Sequence, residues 1–311
     1  MEKHFDYKHS ALGGLWGLFA PVIVSLIASI AIIIAGGEES ALATSPVFNV
    51  ISGILVELSF LCVFLVITKR NNVDFINATG IKQRVPWYFY LISIGLGIAF
   101  IFLFNPIISL WEELLALIGY NINNEIAFPL DSIGALFLAI FTTALIPAIC
   151  EEFLFRGLIL NGLRKFGAVT AIGFSALTFS LMHMNLQQLP YTFVLGIIFG
   201  IIVYYTRNIW LSVIMHFVNN ATALVIMYIS TPLDTPFVWW EILIALGCVL
   251  GACALTYLVI YLFKKKSPAS TEPHEIASEM EKGISKRLMA TPIFAGILLL
   301  IIFSLVNFGV L

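Results

Sequence analysis

Charged residues are scarce in this chain of 311 residues: Asp, Glu, Lys and Arg together make up 11% of it, against about 25% in a soluble domain. The formal net charge is −2 and no long basic run occurs, which excludes the electrostatic footprint of a nucleic-acid binder. Disorder is excluded as well, because it needs few apolar residues and a high net charge. Cysteine is rare too. Cys62, Cys150, Cys248 and Cys253 show neither CxxC nor Cys/His finger spacing, so no disulfide framework and no structural zinc site is indicated. The final Phe-Gly-Val-Leu has no cysteine to be prenylated. Internal repeats are missing, which weighs against the commoner transporter architectures.

What remains is apolar: 60% of the residues are hydrophobic, and the mean hydropathy is +1.01. A membrane-spanning helix needs about 20 such residues in a row. Runs of this kind lie at Leu15–Ala35, Ile51–Ile67, Trp87–Phe104, Ile133–Cys150, Ala168–Met184, Tyr191–Thr206, Ile209–Ile229, Phe237–Phe263 and Pro292–Leu311. The fold class expected is therefore all-α: a polytopic integral membrane protein of about nine transmembrane helices, forming one membrane domain over 1–311. With the N-terminus in the cytoplasm, all 16 Lys and Arg residues fall in inner connections, Arg156, Arg164 and Lys165 between the fourth and fifth spans among them. The outer connections carry Glu38, Glu39, Glu112, Glu113, Glu125 and Asp234. Ala41-Leu42-Ala43 resembles a signal-peptide cleavage site, but the apolar run before it exceeds the usual 7–15 residues, so a retained first helix is expected. The polar stretch 264–287 reads as a cytoplasmic linker before the last span.

Ionisable residues inside a membrane are costly, and each is a functional candidate. Glu57 and Glu241 stand alone and read as helix-packing or interfacial residues. The others cluster between Pro147 and Asn220, in a core of approximately 131–229. In Glu151-Glu152-Phe153-Leu154-Phe155-Arg156, Glu152 and Arg156 are four apart in the acid-first order that favours an ion pair. Glu151 points about 100° away and is left without a helical partner, as suits a general base; a cytoplasmic helix cap is the bland alternative. Phe179 and His183 share a helix face, so the ring can wall the imidazole off from lipid. Gly167 lies midway between Glu151 and His183, so an antiparallel hairpin sets both at one height, about 24 Å from the turn. His216 and Asn220 also share a face, and both can donate to a developing oxyanion or hold helices together.

Glu-Glu-x-x-x-Arg, Phe-x-x-x-His and His-x-x-x-Asn on successive apolar helices resemble the CPBP family, the type II CAAX prenyl endopeptidases and their Abi or bacteriocin-processing relatives. Phe193, Gly196, Gly200 and Thr206-Arg207-Asn208-Ile209-Trp210 resemble its spacer. The resemblance runs from about Phe137 to Ala223. It implies an intramembrane endopeptidase in which Glu151 and His183 activate water, His216 and Asn220 hold the tetrahedral intermediate, and Glu152, Arg156 and Phe179 support the site. No cofactor is required on this reading. Were zinc the cofactor, Glu151, His183 and His216 would be its ligands, although the HExxH spacing is absent. The partners expected are the lipid bilayer and a membrane-delivered peptide or protein, with no nucleic acid. The compartment expected is a bacterial plasma membrane, with the site open to the cytoplasmic half, although composition alone would equally suit the endoplasmic reticulum. Two rival functions use the same residues: a non-proteolytic immunity or regulatory partner that keeps the fold, and a proton-coupled transporter.

Overall fold

A computed structural model describes residues 4–122, 130–229 and 279–309, with scattered positions between 247 and 261. Its regular elements are helices: α1 (Tyr7–Ile34), α2 (Pro46–Asn71), α3 (Phe75–Thr79), α4 (Tyr88–Leu117), α5 (Ile133–Leu160), α6 (Ala168–Leu181), α7 (Leu189–Thr206), α8 (Ile209–Ile229) and α9 (Glu279–Asn307). Among the described residues, seven helices are long and apolar enough to cross a membrane: α1, α2, α4, α5, α7, α8 and the Ser285–Asn307 part of α9. The chain is thus a polytopic, all-helical integral membrane protein. The expected fifth span is α6, which at 14 residues is shorter than a full crossing. Most of the expected eighth span, Phe237–Phe263, lies outside the described residues, as do Glu241, Cys248 and Cys253.

Several boundaries differ from those read off the apolar runs, each for a local reason. Helix α1 begins eight residues before its apolar run because Asp6 caps it. The Asp6 carboxylate accepts from Lys8 N at 2.9 Å and His9 N at 3.1 Å, and the Asp6 N–H donates to His9 Nδ1 at 3.0 Å. Burial pushes this carboxyl up, but those hydrogen bonds outweigh it and bring it down to about 2. It is therefore ionised at the positive end of the helix. Helix α4 continues through Pro106 to Leu117, so Glu112 and Glu113 lie on its last turns and not in a loop. The expected linker 264–287 lies outside the described residues up to 278, and from Glu279 onward the chain is already helical.

The packing is that of a bilayer protein. Large apolar side chains such as Ile33, Phe102, Phe137 and Phe294 face outward, while Phe64, Phe100, Phe155 and Phe199 fill the centre. Helix α1 lies against α2, α5 and α9, α4 against α8, and α6 against α7. Small buried hydroxyls turn inward and donate to backbone carbonyls, since lipid offers them no partner.

Helix α5 is the central element. It is α-helical at Ile133–Ala139 and Ile146–Glu152, and widens into π-helical turns at Ile140–Leu145 and Phe153–Leu160. Side chains satisfy carbonyls of the second wide stretch. Ser10 Oγ donates to Ile159 O and Ser175 Oγ to Phe155 O, each at 2.8 Å, and Asn161 Nδ2 donates to Arg156 O at 2.9 Å. Wide turns of this kind are frequent at functional sites.

Candidate active site

Glu151 and Glu152 end the narrow α-helical stretch of α5, between its two wide turns. The ion pair expected from spacing is formed. Arg156 Nη1 donates to Glu152 Oε1 at 2.8 Å, and both side chains are wholly enclosed. Arg156 was expected in an inner connection, but it lies inside the bundle because its charge is cancelled there. Its Nη2 donates to the carbonyl of Gly196 on α7 at 3.2 Å. The guanidinium lies over the rings of Phe179 and Phe199, 4.3 and 5.1 Å from their centroids. Gly196 is required at this point: a Cβ there would stand 2.9 Å from the Ala176 Cα on α6.

His216 on α8 completes the cluster. Its Nδ1 lies 3.2 Å from Glu152 Oε1, the oxygen that Arg156 also uses, and its Nε2 lies 3.7 Å from Glu151 Oε2. A carboxylate only accepts, so Nδ1 carries the proton on this bond and a neutral His216 presents the Nε2 lone pair toward Glu151. The imidazole stacks on Phe199, centroids 5.2 Å apart and planes 28° apart. A row thus runs from Arg156 through Glu152 and His216 to Glu151.

His183 stands differently from the expectation. Helix α6 ends at Leu181, so His183 sits in the turn that follows, before Met184 with its left-handed φ of 50°. Phe179 still walls it, edge to face at 5.3 Å. His183 Nε2 and Glu151 Oε2 are both buried and have no hydrogen-bond partner among the described residues.

Asn220 takes its partner outside the cluster. Its Nδ2 donates to Thr143 O at 3.4 Å, about two turns before Glu151 on α5. Pro147, four residues after Thr143, has no N–H to offer that carbonyl. The neighbouring Asn219, not singled out by spacing, is the buried amide: it accepts from Tyr191 Oη at 2.6 Å and donates to Gly97 O at 3.2 Å.

The three side chains that would ligate zinc, Glu151, His183 and His216, do not form a metal-binding group. Among the described residues no three His, Cys, Asp or Glu side chains do.

Spacing also missed two contributors. Phe199 gives no signal in an all-apolar helix. Glu57 does, as an ionisable residue within a span, but it precedes the motifs by 94 residues. Read as isolated, it in fact lies on α2 with its carboxyl against that of Glu151.

Residues 133–222, less than a third of the chain, match a family model described as type II CAAX prenyl endopeptidase Rce1-like. Neither a curated protein nor a solved structure matches the chain. The match supports an endopeptidase at the level of its core, and it covers all three motifs, from Glu151 to Asn220. Over residues 133–222, this chain is similar to the type II CAAX prenyl endopeptidase, Rce1-like family.

Proposed function

We propose that this protein is an intramembrane endopeptidase that hydrolyses a peptide bond of a membrane-delivered peptide or protein, with water activated by Glu151 and His183. The observation that carries this reading is that Glu151 Oε2 and His183 Nε2 are both buried without a hydrogen-bond partner among the described residues, beside a Glu152 whose charge is already cancelled by Arg156. Glu152 is committed to Arg156 and His216, so Glu151 is the carboxylate left to take a proton.

In this mechanism Glu151 removes a proton from water as the water oxygen bonds to the scissile carbonyl carbon. The carbonyl electron pair moves onto its oxygen. Collapse of that intermediate restores the carbonyl and breaks the C–N bond, and the proton held by Glu151 passes to the leaving nitrogen. His216 holds the oxyanion through its Nε2 side, while its Nδ1 rests on Glu152. Asn220 reaches the same oxygen by leaving Thr143. No metal is needed for these steps. The distribution of basic residues supports a site open to the cytoplasmic half of the membrane, and a bacterial plasma membrane is the compartment we propose.

The test is cleavage of a quenched-fluorescence peptide library by purified protein in detergent, with a farnesylated CAAX peptide as a separate arm and a chelator in parallel wells. Glu151→Ala is expected to lower kcat by at least about 100-fold, and the chelator to leave the wild-type rate unchanged. Equal rates for wild type and variant would overturn the assignment of Glu151. Cleavage of the farnesylated peptide alone would narrow the substrate to prenylated chains.

A further inference from the structure

Glu57 lies on α2, outside the segment that matches the family, and the mechanism above makes no use of it. Its residue is partly buried, and its Oε2 is fully enclosed without a hydrogen-bond partner among the described residues. An ionisable group within a span normally has a named partner, because lipid gives it none. Helix α2 packs against the stretch of α5 that carries Glu151, and Glu57 Oε2 and Glu151 Oε2 are both enclosed at that packing without a hydrogen-bond partner among the described residues, close enough for the two carboxyl groups to interact.

No other neighbour is hydrogen-bonded to Glu151 among the described residues. Arg156 gives Nη1 to Glu152 and Nη2 to the Gly196 carbonyl while its buried Nε meets no acceptor, and His216 Nε2, at 3.7 Å, stands beyond hydrogen-bond range. Cys150, next in the chain, is buried and free. Glu57 is therefore the side chain placed to orient Glu151. Two ionised carboxylates have no donor between them, so a hydrogen bond between these groups requires one of the two to carry a proton.

We propose that Glu57 is a positioning residue: its protonated carboxyl donates to the Glu151 carboxylate and fixes the rotamer in which Glu151 meets water. This rests on the reading of Glu151 as the general base. The proton on Glu57 stays there through the reaction, and the proton taken from water is held by the other Glu151 oxygen.

The test compares wild type, Glu57→Gln, Glu57→Leu and Glu151→Gln on one peptide that wild type cleaves. An amide donates the same hydrogen bond that the proposal assigns to Glu57, whereas leucine donates none. Glu57→Leu is expected to lose at least about tenfold in kcat with KM unchanged, and Glu57→Gln to stay within about threefold of wild type. A Glu57→Leu protein that cleaves like wild type, while Glu151→Gln is inactive, overturns this inference and leaves the protease reading standing. Equal losses in both Glu57 variants also overturn it, since the hydrogen bond would then not be what matters. A wild type that cleaves nothing removes the protease reading and this use of Glu57 with it. Should Glu57→Leu fail to fold, infrared spectroscopy decides with Glu57→Gln alone. The protonated-carboxyl C=O band of wild type must disappear in that variant, and an unchanged band overturns the inference.

Discussion

Arg156 shows at the scale of one residue why the site is costly to disturb. Its charge is fully enclosed, and it is tolerable only because Glu152 cancels it at 2.8 Å and two aromatic faces flank it. Arg156→Leu leaves an ionised Glu152 with only the His216 Nδ1–H facing it, which is expected to cost about 3–5 kcal/mol. Replacing both members, Glu152→Met with Arg156→Leu, is expected to recover most of that stability, because an apolar pair needs no compensation. Activity should not return, since His216 Nδ1 then has no carboxylate to rest on. Thermal unfolding in detergent, run beside peptide cleavage, checks both outcomes. A double variant as unstable as the single one would show that the pair does more than neutralise itself. This pair was legible in the sequence because an i, i+4 spacing on a helix is local geometry. The His216–Glu152 contact spans 64 residues and was not.

Single elements matter through how closely they approach. Gly97 on α4 brings that helix against α8: a Cβ there would lie 2.8 Å from the Met215 carbonyl and 3.0 Å from Val218. The Gly97 carbonyl also receives the buried Asn219 amide. Gly97→Val is expected to push α8 outward and move His216, next to Met215, away from Glu151 and Glu152. A displacement of about 1 Å can cost on the order of 100-fold in rate. Measured cleavage should fall by that order while the helical circular dichroism is retained, and a variant with wild-type activity would show that α8 does not set the site. Helix α5 likewise resolves a conflict of counting. Counted from its start Glu151 falls near the inner boundary, and counted from the Gly167 turn it falls deep. The helix runs 28 residues, beyond the roughly 20 needed to span, with Glu151 18 residues past Ile133 and 9 before Leu160. Its wide turns were invisible in the sequence, because the donors that satisfy them come from Ser10 and Ser175 on other helices.

Across the whole molecule the charges are the basis for the orientation we propose, which the packing of helices cannot supply. Placing the N-terminus in the cytoplasm keeps the basic ends inside, Lys69 and Arg70 at the end of α2 and Arg164 and Lys165 after α5. Alkaline phosphatase fused after Glu39 in a bacterial host is expected to be active, and the same reporter after Arg84 inactive. The reverse pattern would invert the topology and place the site toward the outer half.

The apolar runs by themselves determined the class of the protein, the approximate places of most spans and the pairing of Glu152 with Arg156. Each depends on neighbours a few residues apart, and hydropathy and helical periodicity report such neighbours directly. Only the tertiary structure decided that His183 lies beyond the end of its helix, that Asn220 rests on Thr143, and that Glu57 meets Glu151 across 94 residues. Those outcomes depend on where helices distant in sequence touch. No local spacing encodes that, because the contacts are chosen by shape and by the need of each buried polar atom for a partner.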